Sequence, residues 1–206
     1  MRKVTRPAEP QVLQEHSERF NAQWVSLREQ NPSAQFQWYS HNKQDVRTMI
    51  LPALRDMTAG HCSFCDSFPL DLGDENVEHF RPKSDPQYAS LAYTWTNLYL
   101  ICTTCNSSFK LAEFDEKMIA PDEEGYAFHN YFFFDSSTGA MMPHPSASPE
   151  AQSRATTTIE GYGLDHAHRR KLRKLEARKW DRSQADADPP NIDDYAYRDF
   201  LESSVL

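Results

Sequence analysis

Four cysteines and one acid-histidine pair are the residues whose types and spacing point to chemistry in this 206-residue chain. Cys62, Cys65, Cys102 and Cys105 form two Cys-x-x-Cys pairs separated by thirty-six residues. Four thiolates on two short knuckles suit the closed tetrahedral site of a structural zinc ion. A thioredoxin-like redox pair needs only one such motif, at a helix N-terminus, and leaves the second pair unexplained. The cysteines are therefore expected to hold Zn²⁺. The metal would tie a strand carrying "VEHF" to a helix starting near "CTTCN", two pieces too short to order each other. Between the pairs lies Glu78-His79.

Alone, that dipeptide reads as a half-buried strand histidine beside a solvent-facing glutamate. Its surroundings argue otherwise. Hydrolysis of a phosphodiester needs a base for water and a cation against the charge that develops on phosphate and leaving oxygen. His79, with an unperturbed pKa near ~6.5, can take the proton at neutral pH. Glu78 and Asn106 offer hard oxygen ligands for Mg²⁺ or Mn²⁺. Neighbours on a strand face opposite ways, so a bulge or the strand end must turn Glu78 and His79 to one phosphate.

From His61 to Lys110, "VEHFRPKS" followed by "WTNLYLICTTCNSSFK" resembles the HNH, or ββα-metal, nuclease signature. There an acidic-His pair precedes Asn-Leu and then a Cys-x-x-Cys-His/Asn stretch ending in lysine. The resemblance implies roles: His79 as general base, Glu78 and Asn106 as catalytic-metal ligands, and Asn97 as the residue that braces the loop and orients the base. It also implies a single catalytic metal and products with 5′-phosphate and 3′-hydroxyl ends. Glu78 stands where many members have Asp, and Asn106 where many have His, which shifts the metal preference. Arg81, Lys83 and Lys110 flank the site and are candidates for phosphate contact. His61, His129, His144 and His166 read as surface or packing residues, with His61 placed to shield the zinc.

The elements around these residues can be read from pattern. Leu13, Phe20, Trp24 and Leu27 fall at helical intervals before "NPS" ends a first helix. A second helix is expected from Lys43 to Thr58, kinked or restarted at Pro52. "GYAFHNYFFFDSSTGAMMPHP" predicts a β-hairpin about its Ser-Ser-Thr-Gly turn. Ser148 and Pro149 open another helix, which closes near Gly161 to Gly163. Asp165 is expected to cap the last, whose arginines and lysines should mostly face outward. The fold class is α+β: a zinc-stapled ββα-metal core over 59–120, an N-terminal helical segment over 1–58, a hairpin and C-terminal helices over 121–182, and a flexible acidic tail over 183–206.

Thirteen prolines against six glycines favour irregular connections. No apolar run approaches the roughly 20 residues that span a bilayer. "MRKVTRPAEP" lacks a signal-peptide core, so a cytoplasmic location is expected. The net charge of −8 disfavours tight solitary binding to nucleic acid. Its distribution is uneven: Arg169 to Arg182 is strongly basic, whereas Asp186 to Glu202 carries six acids and one arginine.

"EHFRPKS", with the opening "MRKVTRPAEP", the "TTTIEGYGLD" segment and the "HRRKLRKLEARKW" helix, is similar to the nuclease subunits of Septu-type antiphage systems, the PtuB family. That resemblance implies a partner, an ABC-type ATPase of the PtuA kind. In some such pairs it also implies attachment to a retron with a reverse transcriptase and multicopy single-stranded DNA. Activity would be held in check until infection, with the N-terminal helices or the acidic tail docking on the ATPase. Two other readings remain: a stand-alone restriction or mobile-element nuclease, and a zinc-ribbon binding module without catalysis.

Overall fold

The computed structural model describes all residues except 71–73, 186, 187, 189 and 204–206. Helix α1 (Gln11–Gln30) buries Val12, Leu13, Phe20 and Trp24. Leu27, read from the sequence as part of that stripe, is instead exposed. Arg28 takes the inward position one turn after Trp24, reaching the carbonyls of Pro32, Ala34 and Ser84.

Strands β1 (Ser40–His41) and β2 (Gln44–Asp45) form a small hairpin around Asn42 and Lys43, both at positive φ. The second helix therefore starts later than Lys43. As α2 (Val46–Thr58) it is capped by the Asp45 carboxylate on Arg47 N–H. It runs on past Pro52 as one helix, so the proline does not restart it. Pro52 and Thr48, whose carbonyl loses its donor, both face solvent, where water can replace the missing bond.

The cysteine pairs are joined by β3 (Glu75–His79) and β4 (Leu98–Cys102). These are antiparallel, in continuous register from Glu75 opposite Cys102 to His79 opposite Leu98. Every residue of β4 is buried, so this strand is the spine of the core. Thr104–Lys110 follows as a π-helical segment. The long connection between the strands passes through two 3₁₀ turns, Ala89–Leu91 and Trp95–Asn97. The first turn packs on α1, where Asn21 Oδ1 accepts the Tyr93 N–H at 2.7 Å.

Phe128–Tyr131, expected as strand, is a helical turn, α3. The hairpin proper is β5 (Phe132–Asp135) with β6 (Ala140–Pro143). Its turn needs Gly139: φ is +75° there, and a Cβ would lie 2.5 Å from the Arg170 carbonyl oxygen. Helix α4 (Pro149–Gly161) has the predicted Ser148 cap on Ala151 N–H.

Helix α5 (Ala167–Ser183) corrects two expectations. His166 caps it, while Asp165 pairs with Arg170 and accepts the Met141 N–H. Its inner face is also cationic, because Arg169 and Arg173 are buried. Arg173 donates to the carbonyls of Gly139 and Leu164. Leu175, by contrast, is half exposed.

The acidic tail falls partly outside the described residues. Residues 192–203 fold back through a 3₁₀ turn and α6 (Arg198–Ser203), burying Tyr197, Phe200 and Leu201. This part is packed, contrary to the flexible tail expected from composition. The aromatic and apolar residues between its acids supply the driving force.

Candidate functional site

The two ends of the β3–β4 hairpin carry the two groups of chemical residues. At the Cys102 end, α2 stops with Ala59 in the left-handed conformation and the chain turns into the Cys62–Cys65 knuckle. Cys102 and Cys105 arrive from β4 and the π-helical segment. All four sulfurs are buried and lie within 4.8 Å of one another. Cys62 and Cys105 approach to 3.9 Å, and Cys65 and Cys102 to 3.7 Å. A tetrahedron with bonds near 2.3 Å has edges of about 3.8 Å, so the cluster fits a zinc ion.

Four thiolates around one dication would leave net negative charge, and buried cations stand near to offset it. Arg169, buried on α5, donates from one guanidinium nitrogen to Cys105 Sγ at 3.0 Å and from the other to the Tyr162 carbonyl at 2.8 Å. Asp66, just past the knuckle, is clasped by Arg198 at 2.6 Å, and both are buried. His61 does not face the sulfurs. Its Nδ1 lies 2.8 Å from the Ala59 carbonyl, its Nε2 3.0 Å from that of Tyr195, and its ring stacks on Phe68. It joins the knuckle to the C-terminal segment.

At the other end sits His79, the last paired residue of β3. The continuous register leaves no bulge, so the strand end frees its ring. His79 Nε2 lies 2.9 Å from the Ala92 carbonyl oxygen. A carbonyl only accepts, so Nε2 carries the proton and Nδ1 keeps a lone pair. That Nδ1 is buried and has no hydrogen-bond partner. Burial first, and then the Lys83 charge, hold the His79 pKa well below the usual imidazole value. The ring is therefore neutral at pH 7.

Asn97 fixes this arrangement. Its Oδ1 accepts from Arg81 N–H at 2.7 Å, and its Nδ2 donates to the carbonyls of Arg81 and Leu91 at 3.0 and 3.1 Å. Arg81 follows His79 by two residues, and Leu91 precedes the carbonyl that holds it. One buried amide thus ties both supports of the imidazole together.

Glu78 points to the π-helical segment, with Oε1 3.4 Å from Lys110 Nζ. Neither atom has a hydrogen-bond partner and both are buried. Burial raises the Glu78 carboxyl to about pH 7 against the opposing pull of Lys110. Lys83 lies half-buried, 4.9 Å from the Phe36 ring centre, with its charge acting on both Glu78 and His79. Burial lowers the pKa of both lysines. Asn106 is half-buried in the segment that ends at Lys110, and its backbone carbonyl accepts the Leu111 N–H. Arg81 is more open, 3.6 Å from Glu116.

The sequence reading missed the cover over this group. Trp38 stacks on His79 with ring centres 5.4 Å apart, and Phe36 meets its edge at 5.1 Å. Both belong to the connection between α1 and β1. The alternation of Phe36 and Trp38 in "FQWY" was the available signal, since residues two apart in extended chain share a side.

Together these features define an α+β protein with a four-cysteine cluster able to hold a metal ion at one end of a hairpin and a buried acid-histidine-lysine group at the other. No protein-family model matches the chain. It is similar to the Septu protein PtuB of Bacillus mycoides, 29% identical over 144 residues, which cover 60% of this chain and 48% of the relative. The chain thus spans about half the length of that curated protein. Among the described residues, no helix is long and apolar enough to cross a membrane.

Proposed function

We propose that this chain is a metal-dependent HNH endonuclease, the nuclease component of an antiphage complex with an ABC-type ATPase. The observation that carries the reading is His79: its Nε2 proton is committed to a carbonyl, while its Nδ1 lone pair is buried, neutral and unpartnered. Burying such atoms without partners costs stability, and sites that do chemistry are where such costs are retained. The order β3, β4, π-helical segment matches the ββα arrangement, and the likeness to Septu PtuB supports the biological setting.

In this reading His79 Nδ1 takes a proton from water as the oxygen attacks phosphorus. The phosphorus bond to the 3′ oxygen breaks and that oxygen takes a proton from solvent water, leaving 5′-phosphate and 3′-hydroxyl ends. Asn97 keeps the imidazole in register through the loop that supplies its carbonyl partner. Glu78 and Asn106 are the residues that would hold Mg²⁺ or Mn²⁺, since a carboxylate and an amide offer the hard oxygens that such a cation takes. Such an ion supplies positive charge against the phosphate and the leaving oxygen. Lys83, Lys110 and Arg81 add positive charge nearby. Phe36 and Trp38 must move before a phosphate can reach Nδ1, which accords with a nuclease released by a partner.

The test is cleavage of labelled plasmid and total tRNA with Mg²⁺, Mn²⁺ or EDTA, by the chain alone and with the ATPase, beside a folded His79→Ala variant. Loss of a general base should reduce cleavage by about 10²- to 10⁴-fold. Equal cleavage by the variant would remove His79 from the mechanism. The Glu78–Lys110 pair and the aromatic cover also favour a second reading, a zinc-stapled binding module. There His79→Ala would alter stability or partner binding, and no cleavage would be found under any condition.

A further inference from the structure

We propose that the outer face of α5, with the groove beside it, binds a single strand of nucleic acid; the inference rests on the nuclease reading and names how that nuclease holds its polymer. Lys171, Lys174, Arg178 and Arg182 are exposed, at intervals of three, four and four, and so share one face of the helix. They span about 16 Å along its axis. None has an ion-pair partner among the described residues, whereas Lys179 is paired with Glu176 at 2.7 Å. In a chain of net charge −8, four unpaired cations in one row form a local field opposite to that of the whole.

Beside this row lies a groove of about 500 Å³ between α5 and the loop after the cysteine knuckle. Phe68, Leu172, Leu175 and Tyr197 give it apolar walls, and Arg178 and Arg182 stand at its edge. A cationic row that can follow a phosphate backbone, next to an aromatic and aliphatic cleft that can take bases, is the composition of single-strand binding surfaces. Duplex would present phosphates to the row and leave the cleft empty. The helix is set rigidly for this role, because Arg169 and Arg173 anchor its opposite face at Cys105 and Gly139.

The experiment measures binding of a labelled single-stranded oligonucleotide to the full chain at several salt concentrations, with zinc content recorded as a check on folding. Changing Lys171, Lys174, Arg178 and Arg182 together to Gln should weaken binding at least tenfold. It should also flatten the slope of log affinity against log salt by about 3, since each single-strand phosphate contact contributes roughly 0.7. Phe68→Ala should weaken binding roughly five- to hundredfold with the salt slope kept. Hydrolysis of a small phosphodiester, bis(p-nitrophenyl) phosphate, should be unchanged in the quadruple variant and lost in His79→Ala; loss in neither would indict the nuclease reading, not the groove. Unaltered oligonucleotide affinity in the quadruple variant overturns the proposal. So does failure of the unaltered chain to bind, or loss of ATPase association alone, which would give the face to an acidic protein surface.

Discussion

The two ends of the β3–β4 hairpin bury polar groups in opposite ways. At the cysteine end, Arg169 donates to Cys105 and Arg198 clasps Asp66, so the buried charges are bonded although Ser63 Oγ has no partner. At the other end, His79 Nδ1 is buried with no partner, and Glu78 Oε1 meets Lys110 Nζ only as a loose ion pair at 3.4 Å. Both ends sit in the same core, so the contrast is not one of exposure. A satisfied buried network rigidifies a fold, whereas unsatisfied atoms cost free energy and persist where a ligand or reaction supplies the missing partner. The first end is braced, and the second keeps the open lone pair that the proposed chemistry requires.

The largest effect that would break this contrast is loss of the metal at the cysteine end. Structural zinc sites contribute on the order of 10 kcal/mol to folding. Cys102→Ser, or extraction of the metal by a strong chelator, should therefore collapse the near-UV circular dichroism of the whole chain, the His79 end included. A native-like spectrum after complete zinc removal would show that the core stands without its staple.

At the His79 end the two titratable groups should tilt stability in opposite directions. Glu78 is protonated in the folded chain up to about pH 7, whereas in the unfolded chain it ionises near 4.5. Its burial thus contributes stability that is full below 4.5 and lost as pH rises to 7, at most about 3 kcal/mol. His79 works the other way: its folded pKa lies well below 6.5, so stability is present above 6.5 and lost as pH falls. Denaturant midpoints at pH 5, 6, 7 and 8 should show partial cancellation in the unaltered chain. His79→Leu should leave stability that falls as pH rises, and Glu78→Gln stability that falls as pH drops. Parallel profiles in the two variants would mean that neither group is held as the structure shows.

The meeting of the four cysteines was legible in the sequence because it depends on local spacing. Two Cys-x-x-Cys pairs need little else to meet, and Ser148 with Pro149 marks a helix start whatever lies beyond it. What stayed hidden depends on distant packing. Composition made the C-terminal acids read as a solvated tail, yet Tyr197, Phe200 and Leu201 among them find the core. The α5 arginines read as an outward face because helical periodicity ranks side chains by hydrophobicity. It has no means of knowing that thiolates and free carbonyls wait on the inner side. Trp38 lies forty-one positions before His79, and no local pattern joins them.

Arg169 is where that hidden packing supports the cysteine end most directly, and it gives the smallest and most specific effect. Its hydrogen bond to Cys105 Sγ stabilises the thiolate, and removal of such a supporting partner typically lowers metal affinity 10- to 100-fold. Arg169→Gln should do so in a competition titration of zinc against a chromophoric chelator. Arg169→Lys should recover part of the loss, because it keeps the charge but not the geometry that reaches both Cys105 and the Tyr162 carbonyl. Arg173 lies one turn further, equally buried, yet bonds only to the Gly139 and Leu164 carbonyls and the Met141 sulfur. Arg173→Gln should lower the unfolding midpoint while leaving zinc affinity within about twofold of the unaltered chain, the scatter that context alone gives. If both substitutions lowered zinc affinity equally, the bond to Cys105 would carry no special weight. The cysteine end would then be held by packing alone, and the contrast between the two ends would narrow to the orphaned Nδ1 of His79.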